Sequence, residues 1–227
     1  MKPIQPTFNA EEYDNKIRQT IPYYEEIYIQ AADLINAFRK THIKWLDIGC
    51  GTGKMVEAAG KHCSVDKFVL CDISKEMLEK AEMKLKNSEV KAEFLNCSVQ
   101  DLSYENEFDI ITSIQVNHYF DRNNRMIALK NCYNALKEKG VYIVFENVAP
   151  FSKVGKEVGL KRWQDFQVLN GKNLEESKEH ISRYGVDYYP ITITEHLELL
   201  KTCGFMEIEV FWLSYMQIGL YAVKRGQ

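Results

Sequence analysis

Two spacings of apolar residues alternate along most of this chain. Short, nearly unbroken apolar runs fall at residues 43–48, 67–72, 90–96, 108–114, 141–146, 206–213 and 217–224. Each is four to eight or so residues long and rich in branched or aromatic groups, the pattern of a strand buried on both faces. Between them, apolar positions recur three and four apart, as in a helix with one face inward. The helical stretches are 11–19, 23–39, the segment opening at Lys54, that opening at Lys75, 123–139, 160–167, 174–184 and 192–203. Pro22 separates the first two, because the residue before a proline is pushed out of the helical region. Gly140 is read as the C′ residue closing the 123–139 helix, and Gly204 as the end of the last one, for which Thr194 is the expected cap. Strand–helix alternation followed by two strands joined at Ser214-Tyr215-Met216 implies an α/β domain with an antiparallel hairpin at its end.

One junction carries the chemistry. The strand at 43–48 runs into Asp47-x-Gly49-x-Gly51-x-Gly53, and a helix opens at Lys54. Glycines there let the turn reach positive φ and let a ligand touch the backbone. Such a turn at a strand's carboxyl end is a floor for a nucleotide-like ligand. The spacing differs from the dinucleotide fingerprint G-x-G-x-x-G, and an acid two residues before the first glycine suits a ligand with a cationic end. About twenty residues on, the strand at 67–72 ends in Asp72, placed to accept two ribose hydroxyls. Ser74 follows as a helix N-cap.

Together these motifs resemble those of the class I S-adenosylmethionine (SAM)-dependent methyltransferases. The resemblance implies a Rossmann-like, seven-stranded, mostly parallel sheet with a C-terminal antiparallel hairpin and a helical lid. It covers the chain as one methyltransferase domain (1–227), with an N-terminal helical cap over 1–40 and a helical lid inserted at 150–190. The implied cofactor is SAM, held by Asp47, Gly49, Cys50, Gly51, Gly53, Asp72 and Ile73, with Gln115 near the sulfonium. Where the family often reads G-D-A-x-x-L, this chain has Cys97-Ser98-Val99-Gln100-Asp101-Leu102. Ser98 and Val99 are then the expected adenine contacts, with Gln100 or Asp101 as substitutes. The Ile-Pro-Tyr-Tyr entry, the Cys-Ser-Val-Gln-Asp stretch and the ending Glu-His-Leu-Glu-Leu-Leu-x-x-Cys-Gly-Phe are similar to a branch related to carboxy-SAM synthases of tRNA wobble-uridine modification. That branch implies an arginine in the last helix for the extra carboxylate. Residues 194–200 contain none, which favours ordinary SAM.

Acceptor and catalytic groups are read from position. His118 follows the strand at 108–114 and is either a general base or a histidine ordering its loop. Glu146 ends the fifth strand on the same side and is a second proton acceptor. Tyr24 joins them as a catalytic candidate, and Tyr13 and Tyr23 share its segment over the active site. From the inserted lid, Arg162, Trp163, Arg183, Tyr188 and Tyr189 are either acceptor contacts or a satellite core. The arginines suit a planar or anionic acceptor.

Composition narrows this picture. The chain has 227 residues and is 45% hydrophobic. That suffices for one domain with a sizeable core. A net charge of −3 lacks the basic footprint of a nucleic-acid binder. Six cysteines without a C-x-x-C pair indicate neither a zinc site nor a disulfide scaffold, and reduced thiols suit the cytoplasm. The start, Met1 to Pro6, does not read as a leader, and no apolar run has membrane-spanning length. The expected function is methyl transfer to a small-molecule acceptor at N, O or S, with no metal, and a homodimer left open. The alternatives are a carboxy-SAM-related enzyme of tRNA modification, a non-catalytic SAM-binding protein and, less favoured by Asp47, a nicotinamide-dependent oxidoreductase.

Overall fold

The computed structural model describes residues 12–60 and 63–226. The reading of Met1 to Pro6, and the first eleven residues of the 1–40 cap, lie outside the described residues. Strands β1 (Ile43–Ile48), β2 (Val65–Asp72), β3 (Ala92–Asn96), β4 (Phe108–Ile114), β5 (Leu136–Asn147), β6 (Glu207–Ser214) and β7 (Gln217–Val223) form one sheet. Its order is β3-β2-β1-β4-β5-β7-β6. β1 to β5 run parallel to one another, and β7 lies antiparallel between β5 and β6. The order reverses between β1 and β4, so a crevice opens beyond their carboxyl ends.

Helices cover both faces: α1 (Tyr13–Thr20), α2 (Tyr24–Ala37), α3 (Lys54–Ala59), α4 (Lys75–Leu85), α5 (Arg122–Ala135), α6 (Lys153–Leu169), α7 (Leu174–Ser182) and α8 (Ile193–Cys203). Because successive strand residues point to opposite faces, Ile43 and Trp45 join one core with Ile27, Ile35 and Phe68. Leu46 and Ile48 join the other, with Ile111, Tyr142, Leu129 and Leu199. That two-sided burial is why the β1 and β4 runs read as unbroken apolar stretches.

Two local readings change. Helix α5 ends at Ala135, with Leu136 already extended (φ −70°, ψ 140°). Gly140 is therefore not a helix terminator; it lies inside β5 with ordinary φ. A Cβ there would meet the Lys137 carbonyl oxygen at 2.8 Å and Leu136 Cδ2 at 2.9 Å. Sheet pairing outweighs the helical pattern of 136–139: Leu136 pairs with Phe108, and Lys139 N–H and Gly140 C=O bond to Lys224. Thr192, not Thr194, caps α8. Its hydroxyl accepts from Glu195 N–H while the Glu195 carboxylate accepts from Thr192 N–H, a reciprocal capping box.

The 150–190 insertion is an excursion with clamped ends. Val148 bridges to Ile191, and Ala149 N–H donates to the Ile191 carbonyl, so chain entry and exit sit side by side. Helix α6 lies against α1, and α7 packs on α6. Trp163, 1% exposed, donates its indole N–H to the Thr20 carbonyl at 2.7 Å. Gln167 bonds across to His180 at 2.9 Å.

Candidate functional site

The glycine turn after β1 is shaped by its neighbours. Gly49 has φ +60°, and a Cβ on it would lie 2.3 Å from Val116 Cγ2, so both conformation and space exclude a side chain. Gly51 N–H donates to Asp72 Oδ2 at 2.9 Å, and Ser74 N–H donates to Oδ1 at 2.8 Å. The two backbone donors fix the carboxylate at the tip of β2. Each oxygen retains acceptor capacity for a further donor. Burial nevertheless holds the Asp72 pKa above the usual carboxylate range, against the bonds from Ser74, Gly51 and Ile73.

Below this turn Asp47 is 3% exposed and accepts from Thr112 Oγ1 at 2.6 Å. Thr112 in turn accepts from the Trp45 indole N–H at 2.8 Å. Burial pushes the Asp47 pKa up to about 7, and the neighbouring Asp72 adds to the shift.

A cavity opens beyond β1, β2 and β4, with an empty volume of about 1110 Å³ counting its solvent-open part. Gly49, Gly51, Asp72, Ile73, Ser98, Val99 and Gln115 line it, as expected of cofactor contacts. Asp47, Cys50 and Gly53 do not. Cys50 bonds through its N–H to the Cys71 carbonyl, and Gly53, at φ +79°, caps α3 and packs on Ala81. Ser98 caps a short 3-10 turn by accepting from Gln100 N–H. Gln100 and Asp101 stay off the cavity, the former bonded to Asn124.

At the end of β4, Gln115 has φ +59°, a strained conformation for a residue with a side chain. Its amide donates to Gln217, whose amide donates to Asn147, giving a chain of three amides that reaches the cavity at both ends. His118 follows on a 3-10 turn, 3% exposed, and lines the cavity. His118 Nδ1 lies 2.9 Å from Glu146 Oε2, and the Asn117 and His118 backbone N–H groups also donate to that carboxylate. Glu146 is fully buried and does not line the cavity. Burial pushes its pKa up, but His118, Arg125 and His196 outweigh this and hold it below the usual range. An ionised Glu146 can only accept, so His118 Nδ1 carries the proton of this bond.

The structure separates the expected acceptor residues. Tyr188 lines the cavity with its ring 5.8 Å from that of His118. Tyr24 does not: its hydroxyl is buried against Tyr28 at 2.8 Å, and burial pushes its pKa well up. Tyr23 is 55% exposed and faces Tyr215. Arg162 sits over the Tyr215 ring at 4.6 Å. Arg183 pairs with Asp187 at 2.7 Å and lines a second, polar cavity between α1 and α7, which shares only His180 with the first. Trp163 anchors α6 to α1, as described. The sequence reading missed Thr20, Met77, Tyr119 and His180, which line the cavity. Met77 was legible as the residue one turn into the helix capped by Ser74. His180 was not, because only the packing of α7 on α6 brings it inward.

The pair Asp47 and Asp72 tests the fit of a sulfonium nucleoside. One carboxyl group with raised pKa, Asp72, lines this cavity and a second, Asp47, lies beneath its glycine turn, yet no lysine or arginine is among the described residues that line it. A cationic ligand supplies the missing countercharge, and the free lone pairs of Asp72 suit ribose hydroxyls.

Residues 46–140 match the sequence profile of a methyltransferase domain. A carboxy-S-adenosyl-L-methionine synthase from Nautilia profundicola is 26% identical over 215 residues, 92% of this chain and 91% of that protein. One from Vibrio cholerae is 22% identical over 219 residues, 95% of this chain and 89% of that protein. Among solved structures, an S-adenosylmethionine-dependent methyltransferase from Clostridium acetobutylicum superposes with a TM-score of 0.67 at 19% identity, covering 96% of this chain and 98% of that one. The CurJ carbon methyltransferase gives 0.63 at 16% identity, covering 88% of this chain and 54% of that one. Sheet order, glycine turn and the matched profile converge on one conclusion: the chain is an enzyme of the class I methyltransferase fold with S-adenosyl-L-methionine as its cofactor.

Proposed function

We propose that the chain transfers the SAM methyl group to a small acceptor that is neutral or cationic rather than anionic. The observation that carries this reading is the composition of the cavity wall. Its acceptor side consists of Tyr13, His118, Tyr119, Phe120, His180 and Tyr188, and the one acidic group among the described residues that line the cavity is Asp72, with no lysine or arginine beside it. Aromatic faces favour a cation or a neutral ring, and an anion finds no lysine or arginine there. In this reading Asp72 accepts the ribose hydroxyls, Ser98 and Val99 meet the adenine, and Gln115 faces the methionine end. SAM supplies an electrophilic methyl on a cationic sulfur. His118 Nε2 accepts the acceptor's proton, oriented by Glu146. Tyr188, at the exit of the lid, closes the acceptor space. Holding the reactants in line is the main contribution, about 7–11 kcal/mol in good geometry.

A second reading follows from the carboxy-SAM synthase relatives, which are similar along nearly the whole chain. It would place an extra carboxylate in this cavity. Against it stands α8, whose residues Ile193–Cys203 include no arginine. Mass spectrometry of nucleosides released from the denatured protein distinguishes carboxy-SAM from SAM. A second chain copy and a cytoplasmic location belong to the same proposal, the former tested by solution scattering.

Calorimetry tests the cofactor arm. SAM and S-adenosylhomocysteine should bind, and at about 100 times the dissociation constant should add roughly 2.7 kcal/mol of stability. Asp72→Ala should weaken both, since each charged hydrogen bond contributes about 1.5–3 kcal/mol. Binding of NAD in place of both nucleosides would overturn the proposal. A panel of small amines, phenols and thiols, followed by methyl incorporation, tests the acceptor.

A further inference from the structure

Two thiols meet at the cofactor side of the cavity. Cys71 is the penultimate residue of β2, and Cys97 directly follows β3. In the parallel ladder Cys71 pairs with Leu95 and Asp72 with Asn96, so Cys97 emerges beside the carboxyl end of β2. The two sulfurs are 3.4 Å apart, and the Cys71 thiol donates to the Cys97 carbonyl at 3.2 Å. Both residues line the cavity, Cys71 buried and Cys97 partly open. They are also tied to the contacts assigned to the nucleoside. Cys71 precedes Asp72 and accepts through its carbonyl from Cys50 N–H, and Cys97 precedes Ser98 and Val99. The Asn96 side chain donates to the carbonyls of Asp72 and Ile73, so the two strand ends move together.

We propose that Cys71 and Cys97 are a modification site, oxidised by a hydroperoxide to a disulfide that lowers affinity for the cofactor. The inference rests on the nucleoside reading of this cavity for its consequence, though not for the cross-link itself. The partly open Cys97 is the sulfur that meets the oxidant. Its thiolate attacks the peroxide O–O bond, giving a sulfenic acid and releasing an alcohol or water. The Cys71 sulfur then attacks that sulfenic acid, the S–O bond breaks, and the oxygen leaves as water with the Cys71 proton. Two thiols lose two electrons, and one peroxide gains them. Burial, and then Cys97 itself, pushes the Cys71 thiol up, which suits a resolving sulfur rather than a first nucleophile. Bond formation draws the sulfurs from contact to about 2.05 Å. That shift is transmitted to Asp72 on one strand and to Ser98 and Val99 on the other. A ligand lying on these strand ends shields Cys97.

The experiment oxidises the full chain with hydrogen peroxide and alkylates the remaining thiols. Peptide mapping then locates any cross-link. Expected are a Cys71–Cys97 cross-linked peptide, its suppression by S-adenosylhomocysteine, and reversal by dithiothreitol. Calorimetry on the same sample should show S-adenosylhomocysteine bound about tenfold or more weakly, the loss of roughly one charge-assisted contact. Cys97→Ser should give no cross-link, and its measured affinity should not change on adding peroxide. The reduced wild type tests the nucleoside reading alone, because its failure to bind is independent of any oxidation. Absence of the cross-link, over-oxidation of Cys97 alone, or a complete cross-link with unchanged affinity would overturn the proposal.

Discussion

Asp47 makes the clearest argument at the scale of single residues. It lies beneath the glycine turn, touches no part of the cavity wall, and has a folded pKa of about 7. An unfolded aspartate titrates near about 3.9. Because the folded value is the higher, the native state binds more protons between these two values, and stability contributed by this group falls as pH rises toward 7. A bound sulfonium reverses the preference by favouring the carboxylate. SAM affinity should therefore rise with pH below about 7, by up to about tenfold per unit, and level off above it. S-adenosylhomocysteine, whose sulfur is neutral, should show a weaker dependence. Asp47→Asn should remove the difference in slope between the two ligands. Titration calorimetry across this range checks it, and parallel slopes in the wild type would remove Asp47 from the electrostatics of the site.

Among the elements, the inserted pair α6 and α7 departs most from a minimal sheet-and-helix domain. The sequence offers its tryptophan and arginines either as acceptor contacts or as a satellite core. In the structure Trp163 is a rivet between α6 and α1, Arg162 covers Tyr215, and Arg183 turns to Asp187. What reaches the cavity is Tyr188, in the segment returning to α8, and His180 from α7. Trp163→Ala should accordingly cost about 3–5 kcal/mol of folding stability, by loss of a buried indole. Trp163→Phe should keep most of the packing and lose mainly the bond to Thr20, about 1 kcal/mol. Urea denaturation of both variants measures this. A stability within error of wild type for Trp163→Ala would show that α6 is not anchored to α1 by this side chain.

For the whole molecule, ligand binding joins elements distant in the sequence. The cavity takes residues from α1, the turns after β1, β2, β3 and β4, the end of β5, α7 and the segment after it. Elements that line it should lose local opening when S-adenosylhomocysteine is bound, and those elsewhere should not. Hydrogen exchange should slow over α1, α4 and α7 and stay unchanged along the edge strand β6, which contributes nothing to the wall. Unchanged exchange in α7 would separate the insertion from the nucleoside site.

The sequence by itself determined the sheet and the glycine turn after β1. Strands buried on both faces must be short apolar runs, and β1 and β4 were legible to the residue. The turn from Gly49 to Gly53 admits little but glycine at its tight points, so Gly49 and Gly51 are legible in the sequence. Ser74 as a cap was legible for a similar reason, because its hydroxyl closes a bond to a backbone N–H three residues on. Tertiary structure decided where local signals compete or stop. Residues 136–139 look helical but pair with Phe108 and Lys224, since β5 lies inside the sheet with a strand on each side. Glu146 reads as a proton acceptor facing substrate, yet it is buried as the partner of His118 and three backbone N–H groups. The lid's arginines and tryptophan carry the composition of a binding surface. Which of them face inward depends on how two helices rotate against α1, and spacing along one helix does not contain that rotation. His180 and Tyr119 enter the cavity, and Cys71 meets Cys97, through contacts between segments far apart in the chain. Only the folded packing brings those segments together.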